Sequence, residues 1–272
     1  MSGAVPSAFG ARLRAGETVV GTFVNLGSTL VTEIMGLAGF DWLVLDLEHG
    51  AGDEARLLGQ LQALSGTGAA TFVRVEAIDP PRFMHALDLG ADGVLVPRLR
   101  TVADARRCAE YCRYAGARGV ARYNRSWHWG LAARSLADAD AEVVCAVQIE
   151  TREALAAARE IAAVEGVDIL FVGPADLAHS HGLDCPPDDP ELLELAAAVA
   201  EAAQAGGKAA GVLVGTIEQL RAYQELGFRF LGCNSDGGLI AQGAFRLAGE
   251  LADLKLAGAQ PLAGSASEER AP

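Results

Sequence analysis

The sequence predicts a (β/α)8 barrel, and three observations carry that prediction. Eight short runs rich in Val, Leu, Ile and Phe alternate with eight segments rich in Ala, Leu, Glu and Arg along 272 residues, which is the size and rhythm of one α/β barrel. The runs are apolar at consecutive positions, as strands buried on both faces are. Several release charge only at their C-terminal edge, at Asp46, Arg74, Glu150 and just beyond the sixth run at Asp176, where a parallel barrel gathers side chains onto one face. An open doubly wound sheet is the competing architecture.

In order, the strand candidates are 18–23, 42–46, 71–75, 93–97, 143–149, 169–172, 209–214 and 228–232, bounded by Gly, Pro or Asp. The helix candidates between and after them are 28–38, 53–65, 80–89, 102–115, 152–163, 190–205, 217–226 and 240–257. Thr101 and Thr216 stand where a hydroxyl can cap the helices that follow, and several helices end in Gly. These segments form one domain over 1–257. The longest irregular stretch, 116–141, carries Arg122, Tyr123, Asn124, Arg125, Trp127, His128 and Trp129; its aromatics and arginines argue for an ordered active-site loop. The small, polar tail 258–272 is expected to fray outside the fold.

A formal net charge of −13 without a basic cluster repels nucleic acid and anionic membranes, so neither is an expected partner. An anionic substrate would need local positive charge, from Arg or a metal ion. Five cysteines, an odd number without CxxC spacing, read as reduced packing residues of a cytoplasmic protein rather than a metal or disulfide set. No secretory pattern opens the chain and no apolar stretch reaches membrane-spanning length.

The densest chemical cluster is Asp46–Leu47–Glu48–His49–Gly50. Asp46 and Glu48 share a strand face, and the turn after them lets His49 fold back toward Asp46, giving the carboxylate–imidazole pair of a general base; a solvated strand end is the bland reading. Glu150 and Asp176 close adjacent strands, and two carboxylates converging in a poorly solvated pocket call for a shared proton or a hard divalent cation, unless they are unrelated surface acids. Gly173, Pro174 and Ala175 make either a small anion nest or a plain tight turn. Arg74, inside an otherwise apolar run, implies a buried anionic partner, either substrate or structural. His179 and His181 lack a third metal ligand, His85 lies on a helix with Asp88, and Asn234, Ser235 and Asp236 either line the barrel mouth or cap the last helix.

The segments Phe40–Asp41–Trp42, Asp46–Leu47–Glu48–His49, Val73–Arg74, Leu95–Val96–Pro97, Gln148 to Leu155, Gly166–Val167–Asp168 and Val172 to Leu177, in this order and spacing, resemble the metal-dependent class II pyruvate aldolases of the HpcH/HpaI aldolase and citrate lyase family. These include 4-hydroxy-2-oxoheptanedioate and 2-keto-3-deoxyglucarate aldolases. The resemblance runs from about Gly21 to Leu251. It implies that Glu150 and Asp176 hold Mg2+, Mn2+ or Co2+, that His49 is the base with Asp46 behind it, and that Arg74 contacts the keto or enolate oxygen. It also implies substrate contacts around Gln148 and Gly173–Pro174–Ala175. A homohexamer built as a trimer of dimers is implied too, with Asp88 reaching a neighbouring subunit's site. The expected reaction is cleavage or formation of 4-hydroxy-2-oxo acids through a pyruvate enolate; oxaloacetate decarboxylation, a citrate-lyase-like cleavage of an acyl-CoA and a non-catalytic barrel are the alternatives. No strand candidate contains a Lys, which fits a mechanism without a Schiff base. Leu47, where the family has a small residue, and the Arg-, Trp- and His-rich stretch 122–130 depart from the pattern.

Overall fold

Eight parallel strands close on themselves in chain order: β1 (Val19–Val24), β2 (Trp42–Asp46), β3 (Ala70–Arg74), β4 (Gly93–Val96), β5 (Val144–Ile149), β6 (Ile169–Val172), β7 (Ala209–Val214) and β8 (Phe230–Ser235). The expected (β/α)8 barrel is therefore the fold. A computed structural model describes residues 9–257; the tail 258–272 lies outside the described residues. The helices are α1 (Phe9–Arg14), α2 (Thr29–Leu37), α3 (Glu54–Ala63), α4 (Pro80–Asp88), α5 (Val102–Cys112), α6 (Leu136–Glu142), α7 (Arg152–Ala156), α8 (Ala158–Ala162), α9 (Pro174–Ser180), α10 (Pro190–Ala205), α11 (Ile217–Glu225) and α12 (Asp236–Ala257). The compact unit that holds the barrel closes at Asp236, earlier than the expected 257. From Gly237 the chain forms a second unit, whose described part is the body of α12, with Phe245 78% and Leu254 68% exposed.

Strand alternation sorts the core into two layers. Trp42, Val44, Phe72, Leu95, Ala146, Ile169, Phe171 and Phe230 fill the barrel interior, and Phe9 and Leu13 of α1 belong to the same cluster. The opposite parity, including Leu43, Leu45, Val73, Val147, Ile149, Leu170 and Val172, packs against the helices. Trp42 stacks on Phe230 at 4.0 Å, and the β1–β2–β8 seam admits that indole only because Gly21 lacks a side chain: a Cβ there would stand 2.2 Å from Trp42.

Aspartates at the N-terminal ends of β2, β4 and β6 tie the strands together. Asp41 accepts from Val20 N–H at 2.9 Å, Asp92 from Thr71 N–H at 2.7 Å and Asp168 from Cys145 N–H at 2.9 Å. Arg12 and Arg14 pin α1 to Asp41 and Asp168. Asp236, fully buried, accepts from Asn25 N–H at 2.8 Å and Leu26 N–H at 3.2 Å. It thereby fastens β8 to the chain after β1. Thr101 and Thr216 cap α5 and α11 as expected. All five cysteines are free, with Cys108, Cys112 and Cys145 buried. Among the described residues no helix is long and apolar enough to cross a membrane.

Three local expectations change. Residues 152–163 divide into α7 and α8 at Ala157, and α1, only six residues long, carried no periodic signal. The stretch 116–141 is ordered, with a 3-10 helix over Arg125–Gly130 and α6 within it, but it joins a helix to the N-terminal end of β5. Arg125 bonds Leu61 O, Leu89 O and Ser65 Oγ at the C-terminal ends of α3 and α4. The stretch thus lies on the face opposite the strand-end acids of its own chain.

Candidate active site

The β2–β3 register sets Asp46 beside Arg74. Both follow the parity of Val44 and Phe72, so both reach the interior at the C-terminal mouth. Arg74 grips Asp46 with both arms of its fork, Nε to Oδ1 at 2.8 Å and Nη2 to Oδ2 at 2.6 Å. Its remaining Nη1 lies 3.2 Å from Glu48 Oε2, and its guanidinium carbon stands 5.1 Å from the Phe23 ring centroid. Burial alone would lower its pKa, yet the Asp46 bonds and the charges of Asp46, Glu48 and Glu150 raise it, so Arg74 stays a fixed cation.

Asp46 does not hold the His49 imidazole. Its Oδ1 accepts from the backbone N–H groups of Glu48 at 3.0 Å and His49 at 3.2 Å, while Arg74 takes the rest. The expected Asp46–His49 pair gives way because the turn puts the Asp46 carboxylate under its own backbone. The carboxylate beside the ring is Glu48, whose Oε2 lies 3.8 Å from His49 Nε2. The His49 side chain is 60% exposed, open to a ligand in the mouth.

Glu150 follows β5 and is buried. Burial pushes its carboxyl up to about 7; the Arg98 backbone N–H and the Arg74 charge pull against this, while Asp176 and Glu48 add to it. Arg98 N–H donates to Glu150 Oε1 at 2.5 Å and Gln148 Nε2 to Oε2 at 2.9 Å. Gln148 Oε1, also buried, has no hydrogen-bond partner among the described residues. A Cβ on Gly173 would stand 2.9 Å from Glu150 Oε2, so the glycine leaves the space the carboxylate occupies. Pro174 and Ala175 open α9, which has no side-chain N-cap, leaving the first-turn N–H groups of Ala175 and Asp176 open to an anion. Asp176, in that first turn and exposed, is close enough to act on Glu150 electrostatically.

This donor set fits a hard divalent ion. Among the described residues no three His, Cys, Asp or Glu side chains form a cage, and two carboxylates with the rest of the sphere left to water and substrate is how Mg2+ is commonly held. The desolvated carboxyl of Glu150 and the amide oxygen of Gln148, unpaired among the described residues, are donors that a cation at this position would satisfy. The sequence-derived set Asp46, His49, Arg74, Gln148, Glu150, Gly173, Pro174, Ala175 and Asp176 thus shares one mouth.

Asp88 does not join it. It ends α4, at the N-terminal side of β4, and bonds Arg118 Nη2 at 2.7 Å in its own chain. Two of the other histidines have local partners: His85 Nδ1 lies 3.3 Å from Glu54, and His181 Nδ1 lies 2.9 Å from Leu177 O. Sequence reasoning left out Arg98, whose left-handed backbone (φ 58°) serves Glu150. It also left out Glu48 as the bridge between Arg74 and Arg98. Only the odd position of Arg98 directly after Pro97 hinted at the first.

Comparison with known proteins points the same way as the geometry. The sequence profile of the HpcH/HpaI aldolase/citrate lyase family matches residues 20–243. A hydroxypyruvate/pyruvate aldolase of Pseudomonas aeruginosa is 38% identical over 244 residues, 89% of this chain and 91% of that protein. A 5-keto-4-deoxy-D-glucarate aldolase of Salmonella arizonae is 36% identical over 245 residues, 89% and 96% of the two chains. The crystal structure of an HpcH/HpaI aldolase/citrate lyase family protein from Burkholderia cenocepacia superposes with a TM-score of 0.85 at 32% identity, covering 90% of this chain and 99% of that one.

Proposed function

This chain belongs to the HpcH/HpaI aldolase/citrate lyase family and is an aldolase, a carbon–carbon lyase, and from that premise we propose how its residues cleave and form 4-hydroxy-2-oxo acids through the enolate of pyruvate. The observation that carries the reading is the buried Glu150 carboxylate, within electrostatic reach of Asp176 and Glu48 and with no side-chain cation bonded to it among the described residues. Glu150 and Asp176 hold a divalent metal ion; Mg2+, Mn2+ and Co2+ all suit two carboxylates. When bound, that ion supplies Lewis acidity at the 2-oxo group.

The chain's own residues do the rest. Arg74, immobilised on Asp46, keeps a guanidinium at the oxygen where enolate charge develops, without reorganising during the reaction. Asp46 is a positioning residue for Arg74. The open N–H groups of Ala175 and Asp176 receive the substrate carboxylate, while Gly173 gives Glu150 room. Gln148 fixes Glu150 through Nε2. His49, beside Glu48, takes the proton of the 4-hydroxyl during cleavage and returns it in condensation.

An acyl-CoA-cleaving reading calls for basic residues near the mouth and finds less support, because Arg125 is spent on backbone and Ser65 contacts at the opposite face. Oxaloacetate decarboxylation would use the same enolate. A homo-oligomer is supported by the exposed apolar side chains of α12. In a hexamer, Asp88 and the stretch 116–141, which lie away from their own mouth, would serve a neighbouring subunit's site. The test of the aldolase reading is pyruvate release from 4-hydroxy-2-oxo acids and from oxaloacetate after chelation with EDTA and again after adding Mn2+. Aldol cleavage lost and then restored is expected; full activity in the thoroughly demetallated protein refutes the metal assignment.

A further inference from the structure

Arg98 follows β4 with φ 58°, a left-handed conformation that a non-glycine residue keeps only when its surroundings hold it there. Two bonds do so. Its N–H donates to Glu150 Oε1 at 2.5 Å, and its Nε donates to Glu48 Oε1 at 3.1 Å. Glu48 is a firm anchor: its side chain is only 7% exposed, and its other oxygen faces Arg74. Arg74 has spent Nε and Nη2 on Asp46. Arg98 is different, because among the described residues Nη1 and Nη2 meet no hydrogen-bond acceptor and the side chain is 70% exposed. The mouth therefore presents a guanidinium fixed at Nε and open at its fork, beside a site that gathers Asp46, Glu48, Glu150 and Asp176 in a protein of net charge −13. A second carboxylate on a substrate would be repelled there unless a cation received it, and a preorganised fork matches a carboxylate.

Resting on the aldolase reading, we propose that Arg98 is a specificity-determining residue whose free Nη1 and Nη2 bind a carboxylate at the far end of the aldehyde partner. Equivalently, they bind the distal carboxylate of a 4-hydroxy-2-oxo diacid. The test compares kcat/KM for condensing pyruvate with 4-oxobutanoate and with butanal, the same carbon chain with and without the terminal charge, in the Mn2+-loaded wild type, Arg98→Gly and Arg98→Lys. Glycine suits the backbone angle and keeps the N–H on Glu150; lysine keeps the charge without the fork. The wild type is expected to prefer 4-oxobutanoate. Arg98→Gly lowers the ratio of the two kcat/KM values by about 3- to 30-fold, mainly through the KM for 4-oxobutanoate, and Arg98→Lys retains part of the preference. An unmoved ratio overturns the proposal. Equal losses on both aldehydes with a weakened Mn2+ titration also overturn it, because Arg98 would then act only by holding Glu150. Absence of any adduct in the wild type overturns the aldolase reading and this proposal with it, whereas adducts formed with an unmoved ratio overturn this proposal alone.

Discussion

Replacing Gly173 by alanine tests the metal centre without touching a ligand. The glycine has φ −96° and ψ 93°, angles that alanine adopts, so the backbone bears no strain. The new methyl would stand 2.9 Å from Glu150 Oε2 and 3.2 Å from Gln148 Nε2. Ordinary contact begins near 3.4 Å, so the carboxylate must retreat by about half an ångström. The bonds from Arg98 N–H and Gln148 Nε2 oppose that retreat. Ligand distances in a working metal site hold to about 0.2 Å, so the displacement exceeds what the ion tolerates. Mn2+ affinity should fall about 10- to 100-fold, the cost typical of disturbing a ligand's support. The metal-free protein should lose only about 1 kcal/mol of stability. Isothermal titration with Mn2+ reads the first effect and urea unfolding in EDTA the second. A Gly173→Ala protein that binds Mn2+ within twofold of wild type would refute the idea that Gly173 makes room for a metal-holding Glu150.

Three further outcomes follow from the same geometry. Glu150, at about 7 when folded against 4.5 as its ordinary value, is favoured as the neutral acid. Its contribution is therefore present below pH 4.5 and lost as pH rises through 7. Urea unfolding in EDTA should show a loss of about 3 kcal/mol across that window that Glu150→Gln lacks, and Mn2+ affinity should weaken as pH falls below 7; parallel profiles for the two proteins would contradict this. Arg74→Lys cannot span Asp46 and Glu48 at once, so kcat/KM for aldol cleavage should drop about 10²-fold, and a drop under threefold in steady-state assays counts against it. Gly21→Ala drives a methyl into Trp42 and should cost about 3 kcal/mol or more in chemical denaturation; a near-neutral result would deny that the indole sets the β1–β2 spacing.

Much of the fold was legible because burial on both faces leaves a direct trace: apolar runs such as Trp42–Asp46, Ile169–Val172 and Ala209–Val214 have the observed bounds. The location of the site was legible for the same reason, since Asp46, Arg74 and Glu150 break those runs at one end. The place of 116–141 was also within reach, because a connection from helix to strand lies opposite the mouth whatever its composition, and aromatic content does not fix the face on which a loop lies. Ala157 offers no chemical sign that it ends α7, and Phe9–Arg14 is too short for a helical period to register.

The chain's own order of residues settled the barrel, the mouth and the carboxylates that meet there, since these depend on local periodicity and on which end of a strand first carries charge. Partnership was decided only in three dimensions. Asp46 belongs to Arg74 because the β2–β3 register puts them side by side, and Glu48 faces His49 because a turn of three residues claims the Asp46 oxygen for backbone N–H groups. Arg98 meets Glu150 across 52 residues of sequence through a left-handed angle that no local preference would select. Such bonds depend on separations of a few ångströms between distant segments, and only the closed barrel fixes those.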